Sequence, residues 1–202
     1  MSHESDHEHG RHGNPADLDA YLGRLESPER AEWQMPDRVV AALGIKAGQT
    51  VADIGAGPGY FSLRLARKVG PRGRVFAVDV EPTILAVLRD RVAARRLAQV
   101  TPVLGTPDDP LVPPGSCDRV LSVTAYHHYR DRPAALRAMA RLLRRGGRLA
   151  VIDFHKRETA MGPPLHERVS REDFLKDVKR AGLKVAEELT FLPHQYFFVL
   201  RA

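Results

Sequence analysis

The chain has 202 residues, a single cysteine and a formal net charge of +6. That length holds one domain with one sizeable core. No apolar run approaches a membrane span, and one cysteine, Cys117, excludes an intramolecular disulfide and any multi-cysteine metal site. The positive charge falls on residues such as Arg89, Arg91, Arg95, Arg96, Arg137, Arg141, Arg144 and Arg145. These lie on presumed outer helix faces without interleaved aromatics, so they read as solvated surface and not as a nucleic-acid groove. No signal peptide is read at the start. The expectation is a cytoplasmic protein with no membrane or nucleic-acid partner; nothing in the sequence fixes its oligomeric state.

Residues 1–14 carry His3, His7, His9 and His12 among acidic residues and glycine. This composition makes no core and has no fixed metal-ligand spacing, so it is read as a disordered His-rich tail with no metal site. Residues 15–48 read as an N-terminal helical segment. Ser27-Pro28 opens a turn inside it, Pro36 suits a helix first turn, and Val39, Val40 and Leu43 form an apolar stripe. Trp33 stands just before that last helix, either as a core anchor or as part of a lid over a ligand.

From residue 49 to 202 strands and helices alternate. Strands are predicted at 50–54, 74–79, 100–105, 118–123 and 148–154, with helices at 59–69, 82–97, 133–143 and 170–181 between and after them. Ser170 with Asp173 is close to a capping box. Two further strands, Leu183–Leu192 and Tyr196–Arg201, are joined too tightly for a crossover and predict an antiparallel hairpin. The fold class is therefore α/β, a Rossmann-like doubly wound sheet of about seven strands, mostly parallel.

Within that frame the stretch Val51-Ala52-Asp53-Ile54-Gly55-Ala56-Gly57-Pro58-Gly59-Tyr60 reads as strand, glycine turn and helix start. Glycines there let a ligand come against the main chain. The dinucleotide pattern would need glycine where Tyr60 stands, and the carboxylate of Asp53 suits a ligand bearing positive charge. Asp79 closes the second strand, about twenty residues beyond the turn, where a carboxylate can accept both hydroxyls of a ribose.

With D-x-G-x-G-x-G at Asp53–Gly59, Asp79 after the second strand, His127-His128 after the fourth and a reversed last strand, the chain from about Asp37 to Ala202 resembles the class I S-adenosylmethionine (SAM) methyltransferases. The resemblance implies SAM as cofactor, held by Asp53, Gly55, Ala56, Gly57, Tyr60, Asp79, Val80, Thr106, Asp108, Ser122 and Thr124. The family's acidic turn after the third strand is replaced here by Thr106-Pro107, and Pro107 has no N–H to donate. Asp108 could supply the missing carboxylate. The activity implied is methyl transfer to a small-molecule acceptor, bound by Trp33, Tyr126, His127, Asp153 and His155 in one cavity at the ends of strands four and five.

Transfer from a sulfonium needs chiefly placement and desolvation. If a general base is used, the candidates are His127, His128, Asp153 and His155. Two alternatives remain at this point: an NAD(P)-dependent oxidoreductase on the same strand-turn-helix, and a SAM-binding protein without turnover.

Overall fold

The structure is a computed structural model, and it describes residues 18–202. The His-rich segment 1–14 lies outside the described residues. Three short helices come first: α1 (Leu18–Leu25), α2 (Glu29–Gln34) and α3 (Pro36–Ala42). Met35 joins the last two in a left-handed conformation at φ 45°, which turns the chain sharply between them.

The sheet follows, as β1 (Thr50–Ile54), β2 (Arg74–Asp79), β3 (Val100–Leu104), β4 (Cys117–Val123), β5 (Leu143–Phe154), β6 (Lys184–Leu189) and β7 (Gln195–Arg201). Between them lie α4 (Ser62–Val69), α5 (Pro82–Ala94), α6 (Arg132–Arg141) and α7 (Arg171–Arg180). Strand order is β3-β2-β1-β4-β5-β7-β6, parallel except for β7, which runs antiparallel to both β5 and β6. The seven-stranded Rossmann-like sheet with a reversed C-terminal hairpin is thus as expected.

Sequence chemistry explains the two edges. β3 carries Pro102, which cannot donate to a ladder on both sides, and β3 pairs only with β2. At the far edge β6 exposes Lys184, Glu187 and Glu188, charges that discourage pairing with another sheet. Several boundaries differ from expectation by a few residues, and two of the shifts have a clear cause. α4 starts at Ser62 and not at residue 59, because Gly59 has φ +96° and cannot be helical. β5 starts at Leu143, with Gly146-Gly147 inside it, because Leu143 pairs with Cys117 before a register shift at the start of β4.

Right-handed crossovers place α4 and α5 on one face of the sheet and α6 on the other, because the chain reverses its winding between β1 and β4. Val51, Ala77, Leu121, Ile152 and Phe197 form the core beneath α3, α4 and α5. Ile54, Val120, Val151, Tyr196 and Phe198 form the core beneath α6 and α7. Cys117 is fully buried in that second core, as a structural cysteine should be. The carboxyl ends of β1 and β4, neighbours at the switch point, open the crevice where such sheets receive ligands.

Candidate active site

Alternation along β1 turns Val51 and Asp53 toward the α4 face. Asp53 is 2% exposed, and its Oδ2 accepts the hydroxyl hydrogen of Ser62 at 2.6 Å. Burial pushes its carboxyl up to about 6; the Ser62 bond opposes this and the nearby charge of Asp79 adds to it. The Ser62 backbone N–H and the Arg30 charge also favour the carboxylate, but burial outweighs them, so a further cation placed beside it is favoured.

The turn after β1 is tied to β2. The N–H groups of Gly55 and Ala56 both donate to the Val78 carbonyl at 2.9 Å. A Cβ on Gly55 would stand 2.5 Å from that of Ala125, so only glycine fits. A Cβ on Gly57 would come into ordinary contact with Leu25 at 3.9 Å, and the positive φ of 56° there favours glycine. The Tyr60 ring carries two guanidinium groups, Arg30 at 4.0 Å and Arg64 at 4.2 Å from its centroid.

Asp79 is half-buried. Its Oδ2 accepts the N–H of Gly57 at 2.7 Å and its Oδ1 that of Glu81 at 3.0 Å, while burial raises its carboxyl. Beside it Val80 and Leu104 stand 45% and 49% exposed at adjacent strand ends, an apolar ledge. The Tyr129 phenol lies close enough that burial and the Asp79 charge lift it to about 12. The loop after β3 closes on itself: the Thr106 hydroxyl accepts the Asp109 N–H at 3.0 Å, and Asp108 is exposed.

At the end of β4, Thr124 adopts φ +55°, an uncommon conformation for a β-branched residue. Its Oγ1 accepts from Gln195 Nε2 at 2.9 Å, and Gln195 Oε1 accepts from Gln34 Nε2 at 3.0 Å. Gln34 Oε1 in turn accepts from Arg30 Nε. This relay, with Gln34 and Gln195 almost wholly buried, ties α2 to the ends of β7 and β4. Trp33 packs its ring 5.5 Å from that of Phe154 at the end of β5.

Of the five residues expected at one acceptor cavity, the structure joins only two by hydrogen bonds, His127 and Asp153. Asp153 is buried; it accepts His127 Nδ1–H at 2.9 Å and the His127 and Phe154 backbone N–H groups at 3.0 and 2.8 Å. The His127 side chain is 2% exposed, whereas His128 is exposed. Tyr126 points away, beneath the sheet, where its hydroxyl donates to Asp177 at 3.0 Å and its ring meets Phe174 edge-on. His155 is half-buried with its ring 5.9 Å from that of Tyr196, on the side facing β6. Ser122 lies on the α6 face, its hydroxyl buried without a hydrogen-bond partner. Among the described residues no group of three or more His, Cys, Asp or Glu could hold a metal ion.

Sequence reasoning missed Arg30, Gln34 and Gln195. They lie in no motif, and only the packing of α2 onto the sheet brings them to the site. Tyr129 was in the polar run after β4, but nothing in the sequence showed that it reaches back toward Asp79.

A doubly wound sheet in this strand order, with carboxylates closing β1 and β2 around a glycine turn, defines a nucleoside-binding fold of the methyltransferase type. A methyltransferase domain family matches residues 51–147. A ubiquinone/menaquinone biosynthesis C-methyltransferase, UbiE, of Cellvibrio japonicus is 35% identical over 118 residues, 58% of this chain and 47% of that protein. A SAM-dependent methyltransferase from Aquifex aeolicus superposes with a TM-score of 0.84 at 25% identity, covering 90% of this chain and 96% of that one. The [4+2]-cyclase SpnF shares the fold, with a TM-score of 0.68 at 18% identity over 85% of this chain and 80% of its own. Residues 51–147 thus form a methyltransferase domain, in a chain whose fold is that of the class I SAM-dependent methyltransferases. It spans about half the length of the curated relatives it matches.

The residues present fit that cofactor. A buried carboxylate, a glycine turn without side chains and a second carboxylate beside an apolar ledge are what an aminoacyl ammonium, a ribose and an adenine require. They fit a dinucleotide less well, since Tyr60 fills the third-glycine position and Asp53 would oppose a pyrophosphate.

Proposed function

We propose that this protein transfers the methyl group of SAM to a small organic acceptor with an apolar or aromatic body. The observation that carries the reading is the pair Asp53 and Asp79, set at neighbouring strand ends around the glycine turn. When bound, the cofactor supplies an electrophilic methyl group. The chain's own task is to hold it, exclude water and place the acceptor in line.

Asp53 receives the ammonium, with Ser62 fixing the carboxylate's orientation. Gly55, Ala56 and Gly57 give the ligand access to the main chain. Asp79 takes the ribose hydroxyls on the lone pairs that Gly57 and Glu81 leave free. Val80 and Leu104 face the adenine. Thr106 contributes through position only, because its hydroxyl is engaged with Asp109, and Asp108 stands nearest to solvent.

On the acceptor side, Trp33 over Phe154 forms an aromatic wall. The helices α1 to α3 act as a lid, anchored by the Gln34–Gln195–Thr124 relay. Where an acceptor must lose a proton, His127 serves as base. Asp153 holds its Nδ1–H and so leaves Nε2 as the accepting nitrogen. No described helix is long and apolar enough to cross a membrane, which supports a cytoplasmic location.

Asp79→Asn is expected to fold normally and to bind S-adenosylhomocysteine roughly tenfold more weakly, because an amide is a poorer acceptor for two hydroxyls. A wild-type dissociation constant with an unchanged melting curve would count against the ribose assignment. Activity is tested by incubating the full chain with SAM labelled in its methyl group and a panel of apolar aromatic acceptors. Quinone precursors head the panel, because the name of the UbiE relatives places them in ubiquinone/menaquinone biosynthesis. Label should move to at least one acceptor. Tight SAM binding with no transfer to any of them would favour a SAM-binding protein without turnover.

A further inference from the structure

The glycine turn carries more positive charge than the protein itself uses. Tyr60, directly after the turn, has the Arg30 guanidinium on its ring at 4.0 Å and that of Arg64 at 4.2 Å. Two cations sharing one ring repel each other, and the anions at hand do little to separate them. Glu26 is paired to Arg91, and Asp37, 3.6 Å from Arg64 Nε, has a side chain 94% exposed. Asp53 lies close enough for its charge and that of Arg30 to act on each other, but it is buried and bonded to Ser62.

Polar capacity at this spot is also left over. Arg30 spends Nε on Gln34 and one terminal nitrogen on the Leu25 carbonyl, and its Nη2 has no hydrogen-bond partner among the described residues. The Tyr60 hydroxyl and Arg64 Nε are buried with no hydrogen-bond partner. Burial lowers Arg30 to about 10, which leaves it charged at neutral pH. Beside a buried carboxylate, then, stands an under-compensated cation pair. A zwitterion fits both.

We propose that Arg30, backed by Arg64, binds the α-carboxylate of the methionyl end of the cofactor while Asp53 binds its ammonium. The proposal rests on the SAM reading given above. Arg30 lies on α2, and its Nε feeds the relay through Gln34 and Gln195 to Thr124 at the acceptor side. The lid therefore closes onto the cofactor through the same residue that reads the carboxylate, and a ligand without that group leaves Arg30 unsatisfied.

The test uses the full chain and two probes that differ in one group: S-adenosylhomocysteine and S-adenosyl-3-thiopropylamine, its decarboxylated analogue. Wild type should bind the first about tenfold or more tightly than the second, the range expected for a charge-assisted contact. Arg30→Ala should bind the two within about twofold of each other, with Arg30→Lys between. Unchanged affinity of Arg30→Ala for the decarboxylated probe shows that its site is folded. Equal binding of both probes by wild type would overturn the proposal, as would discrimination retained in Arg30→Ala or equal loss of both probes there. Failure of wild type to bind either probe would overturn the SAM reading itself.

Discussion

Asp53→Asn is expected to weaken S-adenosylhomocysteine binding by about 2 kcal/mol, roughly thirtyfold, and at the same time to raise the stability of the ligand-free protein at pH 8. The first effect is the loss of a charge-assisted bond to the ammonium. The second follows from burial. The carboxyl is raised to about 6 in the folded chain from an ordinary 3.8, so the folded state holds its proton more tightly than the unfolded one. The stability this contributes is fully present below about pH 4 and is lost as pH rises through about 6. Above that the ionised group costs on the order of 3 kcal/mol that an amide would not. Melting curves at pH 8 and pH 4 check the sign, with the variant gaining at pH 8 only. Wild-type affinity should also fall below about pH 6, where the carboxylate must first lose its proton to meet an ammonium. An Asp53→Asn protein that binds as wild type does, or melts lower at pH 8, would remove Asp53 from the site.

Asp153→Ala should destabilise the protein by about 3 kcal/mol and abolish activity. One carboxylate here accepts from His127 Nδ1, from the His127 backbone N–H and from the Phe154 backbone N–H, all at 3.0 Å or less. Truncation leaves these donors buried without partners, each at a cost of about 1–3 kcal/mol less whatever water can enter. It also frees the loop after β4 and the imidazole from their common anchor. Asp153→Asn keeps one accepting oxygen and should lie between the two. Urea unfolding measures the stability. A full-length variant of wild-type stability would mean that the loop does not depend on the carboxylate.

Much of the sheet could be read directly because its strands are β-branched runs bounded by glycine and proline. Even the edge position of β3 follows from Pro102. The boundaries that shifted did so for reasons of pairing. β5 extends back through its glycine pair because Leu143 finds Cys117, an event in strand register and not in propensity. The carboxylate Asp79 stood out because it lies at a fixed distance along the chain from the glycine turn. The same was true of Asp53.

The acceptor side was harder to read because its groups lie far apart in sequence. His127 and Asp153 are 26 residues apart and meet only because β4 and β5 are neighbours. The run from Tyr126 to Tyr129 is rich in polar aromatics, but a short 3-10 turn sends Tyr126 under the sheet to Asp177. Arg30 belongs to an unremarkable polar helix, and only the docking of α2 gives it a role. The fold alone would not have supplied the chemistry either, since it is shared with a cyclase.

The central claim is that the crevice at the ends of β1 and β2 binds a SAM-type ligand through Asp53 and Asp79. Calorimetric titration of the full chain with S-adenosylhomocysteine and, separately, with NADH tests it most directly. The account predicts one-to-one binding of S-adenosylhomocysteine that Asp53→Asn largely removes, and no heat of binding from NADH. Saturable binding of NADH with none of S-adenosylhomocysteine would contradict it.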